Sequence, residues 1–170
     1  MMAVQETGHV LHAWLSGGRV ERVVLHPLAI SRTDVSPNPR PRFVAWGGAI
    51  WGTILPLLLL GVVRLANDKY TYLARFFAGF CCLANGLYLP AGSVEGVGDA
   101  GDLLRHGAAG WQLWLFGLPV SLLGLWLWNG LGPHFGFGPA KRAIDTRVVI
   151  ALAVALAAAV LLECALSPRG

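Results

Sequence analysis

Four polar residues near the start of the chain have the spacing of a metal-binding helix. If residues 1–15 form a helix, Gln5, His9 and His12 share one face and Glu6 lies beside them. In the pattern H-E-x-x-H, two histidines one turn apart hold zinc and the glutamate acts as a general base. Gln5 stands here at the first histidine position. A carboxamide is a poor zinc ligand because its oxygen carries no charge and its nitrogen has no free lone pair.

A second group of polar residues lies in and after a later apolar run. Asn85 and Pro90 fall within that run, and a glycine-rich stretch from Gly92 to Gly98, expected to be flexible, leads to Asp99. Such residues free backbone groups, which a bilayer tolerates only where the break is buried in protein or lines a cavity. We therefore expect a helix break at residues 85–90 that lets the chain turn back. That turn would bring Asp99, a candidate third ligand, close to His9.

Each of these residues also has a simpler structural explanation. His9 would then lie on the polar face of an interfacial helix, and Glu6 would be an acid favoured by the helix dipole. Asn85 would join two helices by a hydrogen bond, and Asp99 would be the N-cap of a short helix over residues 99–106. His12 is not expected to be a ligand. The remaining polar residues near these segments are expected to be solvent-facing: Asp102, Arg105, His106, His26 and His134.

Together these segments resemble the intramembrane zinc metalloproteases of the site-2 protease family. The segment E-T-G-H-V-L-H-A-W-L-S-G-G-R-V (Glu6–Val20) is similar to that family's E-x-G-H-x-x-x-A helix end, followed by a small-residue turn and a strand. Trp46-Gly47-Gly48 is similar to the small-residue entry of the family's next membrane helix. Asn85 with Gly98-Asp99-Ala100 is similar to its ligand segment. The resemblance covers residues 5–104.

The resemblance implies that a zinc-bound water cleaves a membrane segment of a protein substrate. It implies Glu6 as the base, His9 and Asp99 as metal ligands, and Asn85 as a supporting polar group. Gln5 occupies the place of the missing histidine, and four residues precede it where the family has most of a membrane helix. We therefore expect a degenerate or N-terminally truncated member, impaired in hydrolysis. The alternative is a non-catalytic membrane protein that binds or scaffolds partner membrane helices.

The elements that must position these residues are membrane helices. Of the 170 residues, 55% are apolar and only 13% are charged, which argues against a soluble globule. About 20 residues cross the hydrocarbon layer as a helix. The uncharged runs predict an all-α, multi-pass integral membrane protein with one domain over residues 1–170. Its predicted parts are a motif helix at 1–15, a loop and strand at 16–42, and transmembrane helices at 43–64, 71–91, 110–130 and 147–166.

Smaller features complete this expectation. Trp111 and Trp128 are seventeen residues apart, about 26 Å of helix, which matches two aromatic belts. Residues 19–28 predict a short strand, and the three prolines of residues 31–41 predict a loop. The basic loops at residues 16–42 and 130–147 fall on opposite faces, with the first favoured for the cytoplasm. The arginines form no nucleic-acid stripe, so membrane lipid and a transmembrane protein are the expected partners. The cysteines are expected to be packing residues: Cys81, Cys82 and Cys164.

Overall fold

The fold, described in a computed structural model, consists of helices and one small hairpin. The structure describes residues 1–27, 30–66, 68–139 and 144–167, and within these ranges it contains six α-helices and two strands. In chain order they are α1 (Met2–Leu15), β1 (Val20–Val24), β2 (Arg32–Val35), α2 (Pro41–Ala66), α3 (Thr71–Glu95), α4 (Gly98–Arg105), α5 (Gly110–Trp128) and α6 (Thr146–Leu166). The chain is therefore an all-α membrane protein, as its composition predicts.

Four of these helices are long and apolar enough to cross a membrane. They are α2, α3, α5 and α6, and their most apolar windows have mean hydropathies between 1.3 and 2.7. The predicted segments agree with them to within a few residues at each end. The exposed indoles of Trp111 and Trp126 lie near opposite ends of α5, at 64% and 66% exposure. Side chains of this kind face the lipid when the helix spans a bilayer.

Helix α1 runs antiparallel to the first turns of α2. His12 lies against Phe43, and Gln5 lies against Gly48, so the two helices pair in opposite directions. The backbones meet at Gly8 and Gly47, where a Cβ on either glycine would collide with the carbonyl group of the other. Small residues permit such close approach of membrane helices. The small-residue opening of α2 thus positions the motif helix.

A β-hairpin connects α1 to α2. The predicted strand is present as β1, and it pairs antiparallel with β2, with Arg22 opposite Asp34. The expectation of an irregular loop throughout residues 31–41 is wrong for residues 32–35. All three prolines of that segment follow β2, so none of them removes a donor from the ladder. Leu28, Lys141 and Arg142, which belong to the predicted strand and the second basic loop, lie outside the described residues.

Helix α3 continues without interruption through the segment where we expected a break. The expected turn at residues 85–90 is wrong, because α3 extends past Pro90 to Glu95. A proline inside a helix removes one backbone hydrogen bond and crowds the carbonyl four residues earlier. Gly117 of α5 lies against both that carbonyl, of Gly86, and the Pro90 ring. Because α5 packs closely there, the proline is accommodated inside the protein.

The chain reverses direction between α3 and α4 over two residues. Gly96 ends α3 with a φ of 69°, and Gly98 begins α4 with a φ of 57°. Both values lie in the left-handed region, which favours glycine. The expected flexible segment over residues 92–98 is therefore wrong, since most of it is helical. This sharp corner, rather than a break in α3, carries Asp99 back towards α1.

The remaining helix, α6, is the least packed part of the described chain. None of its most apolar window is buried within the protein. The amide of Leu25, just beyond β1, donates a hydrogen bond of 2.7 Å to the Ser167 hydroxyl at the end of α6. As expected of packing residues, Cys81 and Cys82 are buried in α3, whereas Cys164 is exposed on α6.

Candidate functional site

Three side chains that are distant in sequence meet where α1 and α4 approach each other. The Gln5 amide nitrogen donates a hydrogen bond of 2.9 Å to Oδ2 of Asp99. Nε2 of His9 lies 3.3 Å from the same carboxylate oxygen. Gln5 and His9 are 8% and 7% exposed. The expected approach of Asp99 to His9, across ninety residues of chain, is therefore confirmed.

The ring of His9 is held by α2 on its other side. Nδ1 of His9 lies 2.9 Å from the backbone carbonyl of Val44. A carbonyl can only accept, so Nδ1 carries a proton and Nε2 is the nitrogen that faces Asp99. A Cβ at Gly48 would occupy the place of Nε2 and Cε1, so this glycine makes room for the ring. The backbone of α2 thus requires a proton on Nδ1 and fixes the orientation of the His9 ring.

The surroundings of His9 favour its charged form. Burial alone lowers the pKa of His9, but the hydrogen bond and negative charge of Asp99 raise it more. The Val44 carbonyl and the charge of Glu6 act in the same direction, and the pKa rises from 6.5 to about 9. At neutral pH both ring nitrogens therefore carry protons, one shared with Val44 and the other with Asp99.

Glu6 lies on the neighbouring face of α1 and contacts the hairpin. Its side chain is buried, and Oε2 accepts a hydrogen bond of 2.6 Å from the hydroxyl of Thr33 in β2. Glu6, His9, Thr33 and Asp99 line one cavity of about 490 Å³, which Tyr88 also lines. The candidate base and the candidate ligands therefore share one polar cavity between α1, the hairpin and α4.

Asn85 and Tyr88 approach the site from α3. They are three residues apart on one helix face, and they line a second cavity of about 320 Å³ with Gln5, Glu6 and Asp99. Asn85 is 1% exposed, and its amide nitrogen donates to the Cys81 carbonyl of its own helix at 2.8 Å. Its oxygen has no hydrogen-bond partner among the described residues.

Two contributors to the site were not predicted from the sequence. The Tyr88 hydroxyl accepts a hydrogen bond of 3.2 Å from the Asp99 amide and so holds the start of α4. Its spacing of three residues from Asn85 is the signal that indicates it. The sequence does not indicate Thr33, because residues 31–41 predict a loop and only the pairing of β2 with β1 carries Thr33 to Glu6.

The structure also tests the simpler structural explanations that the sequence offers for individual residues. The N-cap residue of α4 is Val97, so the role of Asp99 as N-cap is wrong. The expectation that His26 lies at the surface is also wrong, because His26 is 2% exposed. His12 stacks on the Phe43 ring, with ring centroids 4.1 Å apart. Asp102 pairs with the exposed Arg105, as expected of a solvated face.

The residues present do not complete a three-ligand zinc site. His9 and Asp99 supply two donors, and the third position holds the Gln5 amide, which points its hydrogens at Asp99. In the part of the chain that the structure describes, no group of three His, Cys, Asp or Glu side chains is placed to hold a metal ion. Catalytic zinc sites have three protein ligands, so the set found here does not fit that ion.

Comparisons with known proteins add no relative to this picture. The chain matches no protein-family model, no curated protein and no solved structure. The class of protein is therefore defined by the fold and the site alone: an all-α membrane protein with a buried polar cluster at the junction of α1, β2, α3 and α4.

Proposed function

We propose that this protein is a multi-pass integral membrane protein with a degenerate site of the site-2 protease type. The observation that carries the proposal is that Gln5 and His9 both contact the same carboxylate oxygen of Asp99. In this proposal α2, α3, α5 and α6 cross the bilayer. Ionisable residues at membrane depth are costly, and they mark functional sites when they face the protein interior.

Each residue is proposed to have the role that its matching position has in the family's motif. Glu6 occupies the position of the base, His9 and Asp99 occupy ligand positions, and Asn85 is a supporting polar group. Hydrolysis is impaired because Gln5 cannot supply the missing imidazole. In addition, Asp99 already accepts the Gln5 amide, and His9 must lose a proton before Nε2 can bind a metal. The substrate class in this proposal is the membrane segment of another protein.

Restoring the missing histidine tests this proposal. Purified Gln5→His protein should bind zinc at least tenfold more tightly than the natural chain, or about 1.4 kcal/mol. Zinc affinity is measured by competition with a chromophoric chelator in detergent. Asp99→Asn in the Gln5→His background should remove the gain, since it removes a charged ligand.

Gln112→His is the matched control for this experiment. Gln112 is the second glutamine of the chain and lies in α5, where its oxygen accepts the Ala109 amide. A histidine added there should leave zinc affinity unchanged. Equal gains for the two histidine variants, or no gain for Gln5→His in folded protein, would contradict the proposal.

A second candidate function is a non-catalytic protein that binds or scaffolds membrane helices of a partner. Two observations favour it. The Gln5–Asp99 hydrogen bond joins α1 to α4 and occupies the Asp99 carboxylate, and α6 leaves its apolar surface unburied. The variant Glu6→Gln, made in the Gln5→His protein, distinguishes the two candidates. Under the first candidate, Glu6→Gln abolishes the peptide hydrolysis that Gln5→His restores. Under the second candidate, Glu6→Gln has no effect on peptide hydrolysis.

A further inference from the structure

A groove opens to the outside where α2 and α5 begin, and it shares Pro41 and His106 with the cavity of the polar site. It consists of two cavities, of about 500 and 420 Å³, that share Arg42 and Trp46. The first is also lined by Arg40 and His106, and the second continues along Leu115 and Phe116 of α5. We call the two together the Arg42 groove.

The mouth of the Arg42 groove carries positive charge that no carboxylate in the described part of the chain balances. Arg40 and Arg42 are exposed, and among the described residues neither forms an ion pair with a carboxylate. The Arg42 guanidinium donates a hydrogen bond of 3.1 Å to the Gln112 side-chain oxygen, and its other donors have no partner among the residues that the structure describes. The nearby Asp102 is paired with Arg105. No Asp or Glu lines either cavity.

The wall of the groove beyond the arginines is apolar and aromatic. Trp46 and Phe116 contact edge to face, with ring centroids 5.6 Å apart, and Leu115 extends this surface along α5. Trp111 borders it with 64% of its surface exposed. Tryptophans of this kind are enriched where membrane meets water. The groove therefore runs from headgroup level into the apolar side of the bundle.

We propose that the Arg42 groove binds an anionic phospholipid. Guanidinium groups form paired, charge-assisted hydrogen bonds with phosphate, and basic pockets between membrane helices bind anionic headgroups. Arg40 and Arg42 hold the phosphate, and one acyl chain lies along Trp46, Leu115 and Phe116. A zwitterionic lipid is disfavoured because no lining carboxylate receives its ammonium group.

Native mass spectrometry of the full chain, titrated in detergent with phosphatidylglycerol at fixed ionic strength, tests the proposal. Arg42→Gln should weaken the affinity for the first bound lipid about fivefold, the usual contribution of one arginine at a membrane surface. The variant that also carries Arg40→Gln should weaken it about 25-fold. Phosphatidylcholine should bind the natural chain more weakly than phosphatidylglycerol does, and it should lose less affinity in both variants.

Arg64→Gln is the matched control. Arg64 is exposed and lies near the other end of the same helix, so the substitution removes the same charge far from the groove. The lipid affinity of this variant should equal that of the natural chain. Equal losses for Arg64→Gln and Arg42→Gln, or equal binding of the two lipids by the natural chain, would overturn the proposal. Displacement of the lipid by millimolar inorganic phosphate would overturn it as well, because the apolar wall would then contribute nothing.

Discussion

Helices α1 and α6 show opposite relations between hydrophobicity and burial. Helix α1 carries Gln5, Glu6, His9 and His12, and it buries all four against its neighbours. Helix α6 is the most apolar of the four candidate membrane spans, with a mean hydropathy of 2.7, yet none of that window is buried. In a soluble protein the order would be reversed.

The difference shows what brings helices together in this chain. Lipid tails are as apolar as leucine, so association between membrane helices depends on close packing and hydrogen bonds. Helix α1 meets α2 backbone to backbone at Gly8 and Gly47. Helices α3 and α5 meet in the same way at two glycine pairs, Gly79 with Gly124 and Gly86 with Gly117. Helix α6 contains no glycine.

The largest effect is expected from breaking the glycine contact of α1. Gly47→Leu places a side chain against the Gly8 backbone and the His12 ring. We expect it to lower the free energy of unfolding by on the order of 3–4 kcal/mol, the upper end of overpacking effects, because backbone cannot yield as a side chain can. The matched substitution Ala155→Leu on exposed α6 should change it by less than about 0.5 kcal/mol. Denaturant titration in detergent measures both, and similar losses for the two variants would refute the role of the glycine.

A smaller effect is expected from pH, through the protonation of His9. The pKa of His9 is 6.5 when unfolded and about 9 when folded. Its contribution to stability is therefore fully present below pH 6.5 and is lost as the pH rises through about 9. Between pH 6.5 and 9.5 the loss should amount to on the order of 3 kcal/mol.

Asp99→Asn serves as the comparison for this pH effect. That variant lacks the negative charge that raises the His9 pKa, so its unfolding free energy should change less between pH 6.5 and 9.5. Subtracting the two pH profiles removes the contribution of other groups that titrate in this range. Parallel profiles for the natural chain and Asp99→Asn would show that the carboxylate does not hold the charged imidazole.

The smallest effect concerns the corner that delivers Asp99. Gly96→Ala should cost about 1 kcal/mol, because a φ of 69° strains any residue with a Cβ although nothing lies within 4 Å of it. Gly61 in α2 also has open space around it but has ordinary helical backbone, so Gly61→Ala should be neutral or slightly stabilising. If thermal unfolding shows equal shifts for both variants, the left-handed conformation of Gly96 is not what holds the corner.

The sequence predicts the helices well because each long apolar run is a local property. It also predicts the approach of Asp99 to His9. It fails where tertiary contacts decide the local structure. Pro90 stays inside α3 because Gly117 makes room beside it, and β2 forms because β1 lies alongside. Neither partner is visible from the local residues. The burial of His26 is likewise set by the surrounding fold rather than by the neighbouring proline.

The central claim is that α1 and α4 meet at a single polar site, and cross-linking tests it most directly. In protein whose natural cysteines are replaced by alanine, Gln5→Cys with Asp99→Cys should be joined by a short bifunctional reagent. Trypsin cleavage in the arginine-containing segment before α2 should then leave the two fragments attached. Gln5→Cys with Asn129→Cys, at the far end of α5, should separate under the same treatment. Separation of the Gln5–Asp99 pair in protein shown to be folded would contradict the account.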